Sequence, residues 1–269
     1  MKALILALGM ALCALSPAWA EEDEAARAAR WGELKQAVFG DRVVADGAGV
    51  IALDAPARAL DAALVPISIT VDGAAAAKVR AIHVLVDGNP SPMAGVFHFG
   101  PAGDPRSLKL RVRVDQYTLM HAVAEMEDGR LFAAERFVKA AGGCSAPMGK
   151  DMQAAMSRMG QMRLRLEGDA AVLEGRPAIA HLLISHPNNN GMQMDQVSRN
   201  YIPARYIQEV RVSYGDAVVM RVEADISLSE DPAITFGFVP RGPGPMRVEV
   251  QDSTEASFRG EFDLPAGRS

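Results

Sequence analysis

Gly142-Gly143-Cys144, inside AERFVKAAGGCSAPMGKD (134–151), sets a nucleophilic sulfur directly behind two glycines. Thiolate is the reactive form of cysteine, and glycine gives the backbone the freedom to carry it. Ser145 continues the stretch beyond the thiol. If the preceding strand ends at Val138, six steps to Cys144 give a reach of roughly 20 Å at about 3.3 Å per residue. Lys139 and Lys150 are the neighbours that would favour thiolate, and no acid lies between Glu135 and Asp151. The pattern predicts an exposed, movable sulfur suited to covalent attachment. A buried structural cysteine is at odds with two glycines and no strand pattern.

The other cysteine of the sequence, Cys13, lies in a segment with the features of an export signal. Lys2 is its basic start, Ala3 to Leu15 its apolar run, and Ala18-Trp19-Ala20 its small-residue cleavage site. The run is too short for a membrane anchor. Cleavage after Ala20 would place residues 21–269 in the periplasm of a host with an outer membrane. Cys144 would then be the only thiol in an oxidising compartment. That leaves an intermolecular disulfide, an inert thiol, or a thiol kept for chemistry.

The remaining chemistry-bearing residues read more plainly. The formal charge of −5, without a basic run, gives no case for nucleic acid or an anionic membrane. No signature ties His83, His98, His121, His181 or His186 to Cys144 as a catalytic pair. Met148, Met152, Met156 and Met159 lie on one helix face; packing against a sheet is the plainer reading, copper(I) binding the sharper one. Lys109, Arg111 and Arg113 read as a solvated sheet face, open to an anionic partner or adduct. In HPNNNG (186–191), Asn190-Gly191 reads as a turn in the left-handed region. Neither a cofactor nor a metal is expected, only an adduct on Cys144.

The elements that must position this thiol follow from periodicity. Residues 24–39 place Ala28, Trp31, Leu34, Val38 and Phe39 near one helix face, with Gly40 to cap it. The period then becomes two in VPISITV (65–71), AIHVLV (81–86), LKLRVRV (108–114), TLMHAVAEM (118–126) and LFAAERFV (131–138). After a segment of helical character, β-rich runs resume at 162–168, 177–186, 202–214, 217–224, 233–239, 246–252 and 256–262. An all-β protein of two antiparallel sandwiches is predicted. Its parts are residues 1–20 as signal peptide, 21–144 ending in the Gly-Gly-Cys arm, a Met-rich linker 145–161, and 162–269.

VPISITVD, the turn Asp87-Gly88-Asn89-Pro90-Ser91-Pro92 and AEMEDGRLFAAERFVKAAGGC resemble SoxY, the sulfur-carrier subunit of periplasmic thiosulfate oxidation. LLISHPNNNG, NYIPARYIQEVRVSYGD and SEDPAITFGFVP resemble its partner SoxZ. The whole is similar to fused SoxYZ-like carriers associated with quinoprotein dehydrogenases. The resemblance implies an immunoglobulin-like sandwich for each half, the two packed together. It also implies Cys144 as the attachment residue on an arm of Gly142 and Gly143, presented to periplasmic redox enzymes. Two departures stand out: the chain continues past the arm through Ser145-Ala146-Pro147, and HPNNNG lacks the methionine that SoxZ typically has after His-Pro. The competing class is a non-catalytic immunoglobulin-like module that holds a dehydrogenase or cytochrome, with the thiol incidental.

Overall fold

Strand period decides the architecture. In Val65–Val71 the residues Val65, Ile67, Ile69 and Val71 are buried and the intervening ones are not, as one covered sheet face requires. The computed structural model describes residues 18–147, 152–168, 172–196, 198–242 and 244–265. The apolar run read as an export signal, with Cys13, lies outside them. The first half holds α1 (Ala18–Phe39), β1 (Val44–Asp46), β2 (Ile51–Asp54), β3 (Val65–Val71), α2 (Gly73–Ala76), β4 (Val79–Val86), β5 (Met93–Phe99), β6 (Gly103–Val112), β7 (Thr118–Met126) and β8 (Leu131–Val138). The second holds α3 (Met152–Ser157), β9 (Met162–Leu166), β10 (Ala178–Ile184), β11 (Ile207–Tyr214), β12 (Ala217–Ala224), β13 (Ala233–Phe238), β14 (Met246–Asp252) and β15 (Ser257–Phe262).

These strands form two sheets, so the fold is the expected all-β, immunoglobulin-like sandwich with an N-terminal helix. One sheet runs β1-β8-β7-β4-β5-β12-β11-β14-β15, the other β2-β3-β6-β13-β10-β9. Both cross from the first half into the second. In the larger sheet β5 pairs with β12 from Met220↔Phe99 to Ala224↔Gly95. In the smaller, β6 pairs with β13 through Thr235↔Lys109 and Phe236↔Leu108. The packing of one half on the other is therefore strand pairing plus one shared core, in which Phe97, Leu108, Val222 and Phe236 are all buried.

Helix α1 begins before the predicted residue 24 and ends where expected. Gly40 sits at φ 61 and its N–H reaches the Gln36 carbonyl at 3.0 Å, a left-handed cap. Phe39 joins Leu85, Val123 and Leu131 in a small apolar cluster, with Trp31 packed against it, on the outer face of the larger sheet. Trp31 also stacks on the His121 ring at 3.6 Å. The methionine face does not pack as expected at Met156, which is 39 % exposed, whereas Ala155 beside it is buried; the Met152 side chain is outside what the structure describes. Met148 lies outside the described residues.

Candidate functional site

At its far end β6 carries the chain into Arg113-Val114-Asp115, and the Gly-Gly-Cys segment lies back along it. Gly142 N–H donates to the Asp115 carbonyl at 2.8 Å, and Gly143 N–H to that of Val114 at 2.9 Å. Gly142 takes φ 77, which a side chain rarely adopts. Gly143 is needed for a different reason: a Cβ there would collide with the Ala62 carbonyl oxygen and lie 2.7 Å from that of Val114. The second half closes the site, where Asn190 Nδ2 donates to the Cys144 carbonyl at 2.7 Å.

The thiol is consequently buried, 2 % exposed, which corrects the exposure expected from the sequence. The glycines permit close docking of the segment, which side chains would have blocked. Ser145 is exposed just beyond and donates to the Gly142 carbonyl at 3.3 Å. Before it the chain is pinned: Lys139 N–H reaches the Ala57 carbonyl at 2.9 Å, and Ala140 is buried.

Burial pushes the Cys144 thiol up to about 12, Asp115 adds to the rise, and Arg113 opposes it. Docked, Cys144 is therefore a protonated, unreactive thiol. The cation that faces it is Arg113; Lys139 does not, and Lys150 lies outside the described residues. Sequence placed Arg113 in a solvated row, yet it is 1 % exposed because loops of the second half cover it. Its Nη1 donates to the carbonyls of Asn188 and Leu228, each at 2.9 Å.

The wall around Arg113 is polar and buried. Asn89, from the Asp87-Gly88-Asn89-Pro90 turn, donates to the Arg113 carbonyl at 2.7 Å and to Ser227 Oγ at 2.8 Å, and accepts Asp115 N–H at 2.9 Å. Asn188 Nδ2 donates to the Leu228 carbonyl at 2.7 Å and its Oδ1 accepts Ile207 N–H at 2.8 Å. HPNNNG is thus more than a turn, and its left-handed residues are Asn188, at φ 48, and Gly191, at φ 85, not Asn190. Three consecutive asparagines after His-Pro were the available signal, since buried amides demand partners.

No histidine reaches the thiol. His186 accepts Asn188 N–H at Nδ1, 3.0 Å, and faces Asp252 through Nε2 at 3.4 Å; burial lowers its proton affinity. His83 pairs with Glu125, His98 with Glu223, His121 with Asp87 and Glu135, and His181 with Thr235. Among the described residues no cluster of His, Cys, Asp or Glu could hold a metal ion.

A thiol at the end of one sandwich half, clamped by a loop of the other, is the arrangement that known proteins can be compared with. A family model described as "Sulfur oxidation protein SoxY" matches residues 35–144. One described as "Sulphur oxidation protein SoxZ" matches residues 166–263. The solved "sulfur carrier protein SoxY from Chlorobium limicola f thiosulfatophilum" is 25% identical, across 42% of this chain and 96% of that one, with a TM-score of 0.34. No curated protein matches. The protein is of the sulfur-oxidation class defined by the SoxY and SoxZ families. It is, in particular, a SoxYZ-like fusion, with a SoxY-family segment followed by a SoxZ-family segment in one chain.

Proposed function

We propose that the protein is a periplasmic covalent carrier in which Cys144 leaves its docked position, takes up a sulfur-containing intermediate, and presents it to partner enzymes. One observation supports this most: the SoxY-type half ends on a thiol that the SoxZ-type half clamps through Asn190. A carrier must hold its sulfur unreactive between visits and release it on demand. Magnitudes suit release. Three hydrogen bonds contribute roughly 1 kcal/mol each, while ordering three residues costs about 1 to 2 kcal/mol apiece. Gain and cost thus cancel to within a few kcal/mol.

The chain itself performs no turnover in this reading. The cargo in this reading is a thiosulfate-derived sulfur group, and the resemblance of the fused arrangement to quinoprotein dehydrogenase-associated carriers supports a partner enzyme of that kind. The test is the intact mass of protein taken from its native periplasm, before and after reductant. A reducible increment on Cys144 is expected; unmodified thiol across all growth conditions that use the pathway overturns the reading. The burial of Cys144 favours one rival, an immunoglobulin-like assembly module with an incidental thiol. Full growth of a Cys144→Ser strain, where deletion of the protein abolishes growth, would establish the module instead.

A further inference from the structure

Lys109, Arg111 and Arg113 all project from the outer face of the smaller sheet, because they alternate with the buried Leu108, Leu110 and Val112. Their surroundings change stepwise toward the thiol. Lys109 is exposed, Arg111 half-buried and Arg113 fully buried. Lys109 and Arg111 line an open groove of about 670 Å³ with Pro66, Ser68 and Ala233, and Asp54 is the one carboxylate among its lining residues, against two cations. Beyond its end Arg113 lies under the second half. At about 3.4 Å per residue the three span roughly 14 Å, ending beside Cys144.

Two of these cations lack full partners. Arg111 gives Nη2 to the Asp231 carbonyl at 3.1 Å, and Arg113 gives only Nη1. The Nε of each is buried without a hydrogen-bond acceptor. Neither guanidinium makes an ion pair among the described residues, although other arginines of the chain do. A buried, unpaired cation is costly and calls for an anion. Two groups bear on Arg113: Glu230, a carboxylate outside ion-pair distance, and the Cys144 segment that lies against it, hydrogen-bonded to Val114 next door.

We infer that Lys109, Arg111 and Arg113 form a cationic track along β6 that draws a sulfur oxyanion toward Cys144, with Arg113 supplying the counter-charge for the anionic group once attached. The inference rests on the carrier reading of Cys144 and adds the residues that select the charge of its cargo.

The test compares two reagents on the full chain, followed by intact mass. With tetrathionate, the Cys144 thiolate attacks a central sulfur after its proton passes to solvent. A Cys–S bond forms, the central S–S bond breaks, and thiosulfate leaves with the electron pair. Methyl methanethiosulfonate reacts likewise but is neutral and releases methanesulfinate. Arg111→Gln is expected to slow tetrathionate by about threefold or more while leaving the neutral reagent within about twofold, since steering acts on charge alone. Arg113→Gln, which also removes the charge that opposes the rise of the thiol, is expected to slow both reagents, tetrathionate by about threefold more than the neutral one. An unchanged ratio of the two rates in Arg111→Gln, or no labelling of the folded wild type by either reagent, overturns the track. Should Arg113→Gln fail to fold, Arg111→Gln at the groove decides. The native adduct mass is measured separately, so loss of the track and loss of the carrier reading are told apart.

Discussion

Gly143 decides whether the thiol can hide. Its missing side chain lets the segment approach the Ala62 and Val114 carbonyls, so Gly143→Ala excludes the docked position. Asn190→Ala removes one clamp, worth roughly 1 kcal/mol, or about fivefold in the docking equilibrium. Both variants should therefore raise the rate at which a neutral disulfide reagent labels Cys144 at pH 8, Gly143→Ala more strongly. Wild-type rates in both would show that docking does not control the thiol. The pH dependence has a definite sign. A docked thiol raised to about 12 has its docking fully in force below the ordinary value of 9.0, and loses it as pH rises above that toward 12. Alkaline buffer should thus loosen the segment, and neutral buffer should keep it shut.

Asp252, at the end of β14, shows how the elements around the thiol are fixed. It is buried, and though burial raises its carboxyl, hydrogen bonds from Thr254, Arg205 and the Thr254 and Ala256 amides bring it down to about 2. Because it also faces His186, it ties the HPNNNG loop to the β14–β15 turn. A carboxyl so lowered stabilises the fold above its ordinary 3.8 and ceases to do so as pH falls through that value toward about 2. Urea unfolding of Asp252→Asn should show a loss on the order of 2 kcal/mol at pH 7 that shrinks toward pH 2. A loss independent of pH would place its role elsewhere. Sequence made β3, β7, β8, β12 and β14 legible to the residue: β3 and β14 alternate cleanly, and β7, β8 and β12 are β-rich runs bounded by the turns at Asp128-Gly129 and Gly215-Asp216. It missed β1, β2 and β5: two are very short, and β5 is MAGVFHF, in which both faces are partly covered and the alternation disappears. The thiol itself was legible from its glycines. Its burial was not, because Asn190, which clamps it, and Asn188 and Leu228, which cover the neighbouring Arg113, come from the other half of the chain, where no local pattern points back to Cys144.

At the scale of the whole molecule, strands β5 and β6 of one half are edges completed by β12 and β13 of the other. Covalent continuity is therefore not what holds the halves together. A protease site introduced after Pro147 and cut should leave two fragments that co-elute from a sizing column in native buffer and separate only in urea; separation in native buffer would contradict the paired edges. The residues 21–144 alone would present two open strand edges, a template for aggregation. The pinning of Lys139 and Ala140 has a consequence for how far the sulfur can travel. A point held by two leashes sweeps only the region where two spheres overlap. The leash from Ala140 is four residues, at most about 14 Å, and that back from Met152 is eight, about 27 Å. The shorter one sets the limit. Joining the halves into one chain thus takes little from the thiol's range, and any enzyme that loads or strips it must bring its own cleft to within about 14 Å of Ala140.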